Sequence, residues 1–340
     1  MQVAGVQVGA QRELPCPQPE TAPPFGYTVP PFGHGGCAMP RNLVLITYDS
    51  CRLDSARAAR APNLARLGEI EARWSYASWT APSHYTFLMG LIPHRSPPHV
   101  YASEVYKEDF RKWGDRLDIP DLKFETFLPQ LSLAGMLKQY GYRTVARVSM
   151  PVLNPFTVLN NAFDDYRLMP NHNDFAGMVR EAEFARDQPS FHFFNLGETH
   201  YPYMLKDAAL PHISGLHGVA RTLAAGGDAG GPVGDSGAGP GSRPGAGPVH
   251  GTQAMDVDAF FAPEVMQGLH RQQIACVEYL DGLLGALYDK APSDTWFMIM
   301  GDHGEAFGEG GYFGHGPVMH EKVFEVPFVE GLRPRRARLI

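Results

Sequence analysis

Two strand-like runs in this 340-residue chain end in side chains able to bind a metal. Trp296-Phe-Met-Ile-Met300 is an apolar run of the kind that forms a buried strand, and it leads through Gly301 into Asp302-His303-Gly304. A carboxylate beside a neutral imidazole is a suitable ligand pair for zinc or manganese. Asn42-Leu-Val-Leu-Ile-Thr-Tyr48 is a second such run, and Asp49 follows it directly. Ligands gather at the carboxyl ends of strands in open α/β sheets. If both strands share one sheet, Asp49, Asp302 and His303 can converge on one divalent cation. Taken singly, each aspartate also reads as a helix cap.

A hydroxyl and two imidazoles add to this set. In Ser78-Trp79-Thr80-Ala81-Pro82-Ser83-His84, Pro82 suits the first turn of a helix running to about Met89. Thr80 then lies at a helix N-terminus, where amides and the helix dipole attract an anion. It is either the N-cap or a nucleophile that loses its proton under the influence of a metal. Ser83 and His84 read as helix-surface residues, with His84 also able to face the anion. His200 falls just past the strand-like segment 191–196, in Glu198-Thr199-His200-Tyr201-Pro202-Tyr203. His315 falls in the glycine-rich Tyr312-Phe-Gly-His-Gly316. Both are candidates for holding an anionic substrate or protonating its leaving group. Simple exposure is the alternative for any one of the 14 histidines.

The elements that must position these residues alternate along the chain. Apolar runs predict strands over 42–48, 143–149, 191–196, 296–300 and 326–329. Helical spacing predicts helices over 62–69, 83–90, 126–140, 174–186 and 263–290, the last from Ile274, Val277, Leu280, Leu283, Leu284 and Leu287. Such alternation predicts an α/β fold, a mainly parallel central sheet with helices on both faces. Residues 1–40 are rich in Pro, Gly and Gln and read as a disordered N-terminal segment. Residues 224–251, dominated by Gly, Ala and Pro, read as a disordered insertion within one domain spanning 41–332. Residues 333–340 read as a basic tail.

Composition narrows the function. The chain is 44% hydrophobic, enough for a sizeable core. A net charge of −7 does not favour nucleic acid or an anionic membrane. The four cysteines form no Cys-x-x-Cys pair, which sets aside a zinc knuckle or a redox motif and suits a reducing compartment. No stretch approaches the roughly 20 apolar residues of a membrane span, and the N-terminus lacks a signal-peptide pattern, so the expected location is cytoplasmic.

In order along the chain, several segments resemble the sulfatase family within the alkaline phosphatase superfamily. Asn42 to Asp54 looks like that family's opening strand with its metal-binding aspartate. Ala61-Pro-Asn-Leu-Ala-Arg-Leu67 is similar to its "TPNLDRL" segment, and Ser78–Gly90 with Pro93-His94 to its nucleophile motif. Leu133–Thr144 resembles its "L…L…GYRT" unit, and Phe163-Asp-Asp-Tyr166 its "GFDxY" turn. His200-Tyr-Pro-Tyr203 resembles "H-x-P-Y", Gly301–Gly316 the "SDHGExFGE…GHG" block, and Val326-Pro-Phe-Val329 the following strand.

The resemblance covers about 40–330 apart from the Gly-rich insertion, and it implies roles. Asp49, Asp302, His303 and the Thr80 oxygen would bind one divalent metal. Thr80 would be the nucleophile, and His200 and His315 would contact the anionic head or the leaving oxygen. His84 and Arg52 are further candidates for contacting the substrate. The chain also departs from the family pattern. Threonine cannot become the formylglycine of ordinary sulfatases, and it suits phosphoryl chemistry. His84 replaces the motif's arginine, Ser50 replaces a second acidic ligand, and the "GKWHLG" signature is absent. With Asp302-His303 in place of an Asp-Asn pair, manganese or zinc is favoured, with calcium or magnesium possible. The implied function is cleavage of sulfate or phosphate mono- or diesters, with a small anionic ester as substrate and a covalent Thr80 intermediate. A phosphoryl transferase to an alcohol and a non-catalytic binding protein are the alternatives.

Overall fold

The computed structural model describes residues 42–90, 112, 132–203, 219–220, 257–316 and 318–335. The expected N-terminal segment 1–40, the insertion 224–251, Pro93-His94, residues 126–131 of the helix predicted over 126–140 and residues 336–340 of the tail 333–340 lie outside them.

A seven-stranded sheet organises the domain. Its strands are β1 (Asn42–Tyr48), β2 (Glu71–Trp74), β3 (Arg143–Val148), β4 (Asp165–Leu168), β5 (Ser190–Leu196), β7 (Thr295–Gly301) and β10 (Glu325–Leu332). Their spatial order is β2-β10-β7-β1-β5-β3-β4. β1 pairs in parallel with both β5 and β7, and β3 in parallel with β5 and β4. β10 is antiparallel to both β7 and β2, so it alone is reversed. A small antiparallel sheet of β6 (Val219–Ala220), β8 (Ala306–Phe307) and β9 (Tyr312–Gly314) lies apart.

The helices are α1 (Leu53–Ala58), α2 (Pro62–Leu67), α3 (Thr80–Met89), α4 (Leu133–Gln139), α5 (Phe175–Glu181), α6 (Val257–Phe260), α7 (Pro263–Lys290) and α8 (Glu321–Phe324). Successive side chains of a strand point to opposite faces, and two cores follow from that rule. Val44, Ile46 and Tyr48 of β1 join Phe297, Ile299, Phe194 and Leu196 against α2, α5 and α7. Leu45 joins Phe191, Phe193, Ala146 and Val148 against α3 and α4. Both faces of the sheet are thus covered, which is why β5 is buried along its whole length. On α7 the buried positions Gln273, Cys276, Val277, Leu280, Leu284 and Leu287 form one stripe at helical spacing.

The predicted fold class is therefore observed. The five predicted strands form within a residue or two, except that β10 runs on to Leu332, and α7 has its predicted bounds. α3 begins three residues earlier than predicted, and α5 ends at Glu181 instead of 186. β2 and β4 were not anticipated. They occupy the two sheet edges, where the sequences Glu-Ala-Arg-Trp and Asp-Tyr-Arg-Leu carry no buried apolar run.

Candidate active site

β1 is flanked by β5 and β7, and all three run in the same direction. Their carboxyl ends therefore open at one sheet edge, the customary ligand position in α/β sheets. Asp49 follows β1, Glu198-Thr199-His200 follows β5, and Asp302-His303 follows β7. The N-terminus of α3 brings Thr80 to the same place.

The side chains of Asp49, Asp302 and His303 are all buried, with one ligand atom from each lying within 4.8 Å of the others. His303 Nε2 is 3.8 Å from Asp49 Oδ1 and 3.5 Å from Asp302 Oδ2. Its other nitrogen, Nδ1, lies 2.9 Å from the Gly304 carbonyl, so the donated proton sits there and Nε2 faces the carboxylates as an acceptor. Thr80 Oγ1 is 3.3 Å from both Asp49 Oδ1 and His303 Nε2. The hydroxyl donates to Asp49. It is not a cap: Trp79 holds the N-cap position, and Thr80 is the first helical residue.

This arrangement fits a cation. Asp302 Oδ2 is buried and has no hydrogen-bond partner, an expensive state for a carboxylate oxygen. Burial first, and the nearby Asp49 carboxylate second, push the Asp302 pKa well above the ordinary carboxylate range. A divalent ion beside both carboxylates would reverse that push and satisfy the orphaned oxygen.

The support around the ligands is equally specific. Asn195 Nδ2 donates to Asp49 Oδ2 at 2.9 Å, while its Oδ1 accepts from the amides of Ser149 and Met150. The Thr199 hydroxyl donates to the Asp49 carbonyl at 2.7 Å. Ser50 has a left-handed backbone, φ 61°, which turns its amide onto Asp302 Oδ1 at 3.1 Å. Ser83 Oγ donates to the Asp302 carbonyl at 2.8 Å. The role of Gly304 is not its conformational freedom but proximity: a Cβ there would lie 2.1 Å from the Lys322 carbonyl.

His200 and His315 stand together, their ring centroids 5.1 Å apart, and His315 is 4.4 Å from His303. His200 Nδ1 lies 2.6 Å from the Tyr201 carbonyl. His315 Nδ1 makes long contacts with Ser50 Oγ (3.4 Å) and Glu305 Oε2 (3.5 Å).

Two residues expected to face the substrate are placed otherwise. His84 is fully buried under α3 against Phe87 and Phe193. Its Nδ1 lies 2.7 Å from the Thr80 carbonyl, and burial lowers its pKa to about 4, so it is a neutral support for the Thr80 backbone. The Arg52 guanidinium is held by Asp54 and Glu309, each at 2.6 Å, and lies over the Phe307 ring. Among the residues that the sequence did not single out, Asn195, Gln273 and Glu305 all contact the site.

The chain matches the family model described as Sulfatase over residues 41–330. Among solved structures, it is similar to the C-terminal periplasmic domain of EcEptC from Escherichia coli in complex with Zn. That match has 14% identity and a TM-score of 0.50, and covers 87% of this chain and 74% of that one. It is also similar to BT1596, a 2-O GAG sulfatase, at 12% identity and a TM-score of 0.50, over 86% of this chain and 65% of that one. At these identities the likeness is one of fold. A search of curated proteins finds no match.

Proposed function

The chain belongs to the sulfatase family, and from that premise we propose that it is a metal-dependent enzyme cleaving phosphate or sulfate esters through a covalent bond to Thr80. The observation that carries this reading is the Thr80 hydroxyl, 3.3 Å from both Asp49 Oδ1 and His303 Nε2 inside the buried ligand cluster.

Asp49, Asp302, His303 and Thr80 Oγ1 would hold one divalent ion. Two carboxylates, an imidazole and a hydroxyl favour manganese or zinc. When bound, such an ion supplies Lewis acidity, favouring the ionised hydroxyl and offsetting charge on the ester oxygens. The chain's own residues do the rest. Asp49 orients the Thr80 hydroxyl by accepting its hydrogen bond, and the hydroxyl proton passes to solvent as the oxygen ionises. That oxygen forms a bond to phosphorus or sulfur as the bond to the leaving oxygen breaks on the opposite side. The Thr80 and Ala81 amides at the start of α3 would face the anionic head; Pro82, next in that turn, has no N–H. His315 or His200 gives a proton to the leaving oxygen. Water then releases the Thr80 ester, with the same histidine taking the water's proton.

Threonine cannot be converted to formylglycine, so a plain hydroxyl is the nucleophile and phosphoryl esters suit it at least as well as sulfates. A screen of protein loaded with Mn or Zn against an aryl sulfate, a phosphate monoester, a phosphate diester and a phosphonate ester tests this. Turnover of at least one class, lost on chelation, is the expected result. Inactivity against all four with stoichiometric metal bound would count against catalysis. An alcohol added to the same assay separates hydrolysis from transfer: an alkylated product marks a transferase.

A further inference from the structure

Gln273 lies on the buried stripe of α7, where leucine, valine and cysteine are its neighbours, and it is fully buried. A buried amide is costly unless every one of its bonding positions is used. Here they are. Oε1 accepts from the Arg52 amide at 3.3 Å and from Ser55 Oγ at 2.6 Å. The two N–H bonds of Nε2 are shared among three acceptors, the Ser50 carbonyl at 2.9 Å, the Thr199 carbonyl at 3.0 Å and Glu305 Oε1 at 3.1 Å. An amide N–H can only donate and a carbonyl can only accept, so these partners fix which way the side chain points.

The partners matter more than their number. Ser50 and Arg52 belong to the segment after β1, Thr199 to the segment after β5, and Glu305 to the segment after β7. One side chain therefore ties together the three segments that carry Asp49, His200 and Asp302-His303. Glu305, itself fully buried, takes a second hydrogen bond from the Tyr203 hydroxyl. Its other oxygen faces His315 Nδ1 at 3.5 Å. A chain of contacts thus runs from Gln273 through Glu305 to His315.

We propose that Gln273 is a positioning residue for proton transfer: through Glu305 it holds Nδ1 of His315, so that Nε2 is the nitrogen presented to the leaving oxygen. This rests on the reading of His315 as the acid. A carboxyl group behind an imidazole fixes its ring orientation in the same way at many sites.

The test compares two aryl esters of whichever class the enzyme turns over. One carries 4-nitrophenol, which departs without a proton. The other carries phenol, which needs one. Gln273→Met keeps the size and loses every hydrogen bond, and Glu305→Gln keeps the shape and exchanges a carboxyl oxygen for an amide nitrogen. His315→Asn reports on the acid itself. The expected result is a fall in kcat/KM, which ends at departure of the leaving oxygen, for the phenyl ester roughly tenfold or more beyond that for the nitrophenyl ester in all three variants, as loss of a general acid requires. A variant that is merely less folded loses both activities alike. Equal losses in Gln273→Met and Glu305→Gln, with a selective loss in His315→Asn, would overturn the positioning role and leave the acid in place. The absence of a selective loss in His315→Asn would overturn the acid and the role built on it. Should Gln273→Met not fold, Glu305→Gln carries the same comparison.

Discussion

Thr80 differs from an ordinary first-turn threonine in its surroundings. Its hydroxyl meets a buried carboxylate and a buried imidazole instead of capping its helix. Asn195 acts on the same centre one step removed, by holding Asp49 Oδ2 at 2.9 Å. Asn195→Leu should therefore weaken metal affinity about 10- to 100-fold, the usual effect of losing a partner behind a ligand. Titration with a competing chelator measures it, and unchanged affinity would remove Asn195 from the site. The candidate ligands Asp49, Asp302 and His303 were legible in the sequence because they stand at the ends of apolar runs, and Thr80 because Pro82 marks the start of its helix. Their supports were not. Asn195 lies inside the run Phe193-Phe-Asn-Leu196, and Gln273 on the apolar stripe of α7, so each has the address of a core residue. A polar residue at such an address was the available signal. What it bonds to is decided by segments more than 30 residues away in the chain.

At the scale of elements, the parallel arrangement of β5, β1 and β7 makes the site, because it opens three carboxyl ends at one edge. The segment after β5 contains a feature with its own consequence. Glu198 is buried, accepts from the Phe175 amide at the start of α5, and has a second oxygen without a hydrogen-bond partner. Burial raises its pKa to about 7. The folded state thus holds a proton that the unfolded chain releases near pH 4.5. Its contribution is fully present below that pH and is lost as pH rises through about 7, on the order of 3 kcal/mol in all. Glu198→Gln should therefore be less sensitive than the parent to a rise from pH 5 to pH 8, read as the change in Tm over that range. A parallel fall in both proteins would show that Glu198 does not titrate in this way. Element prediction failed mainly at β2 and β4, the edge strands. An edge strand buries too little to need an apolar sequence, and its charged side chains guard against pairing with another chain.

For the whole molecule, family membership fixes the architecture, and the chain's own residues set its chemistry. Two buried carboxylates at one point destabilise the fold without a cation, since like charges and burial act together on Asp302. Metal should accordingly be linked to stability. Saturation at about 100 times the Kd is worth roughly 2.7 kcal/mol. Chelation should lower Tm and re-addition of Mn or Zn should restore it, whereas a Tm indifferent to both would argue against a metal held by these residues. No helix among the described residues is long and apolar enough to cross a membrane. The central claim is that Thr80 is the nucleophile of a site whose metal is held largely by Asp49, Asp302 and His303. The most direct measurement pairs turnover with metal content in Thr80→Ala. Turnover reduced to background with about one equivalent of metal retained is the predicted result. Turnover near that of the parent chain, with the same metal content, would contradict it.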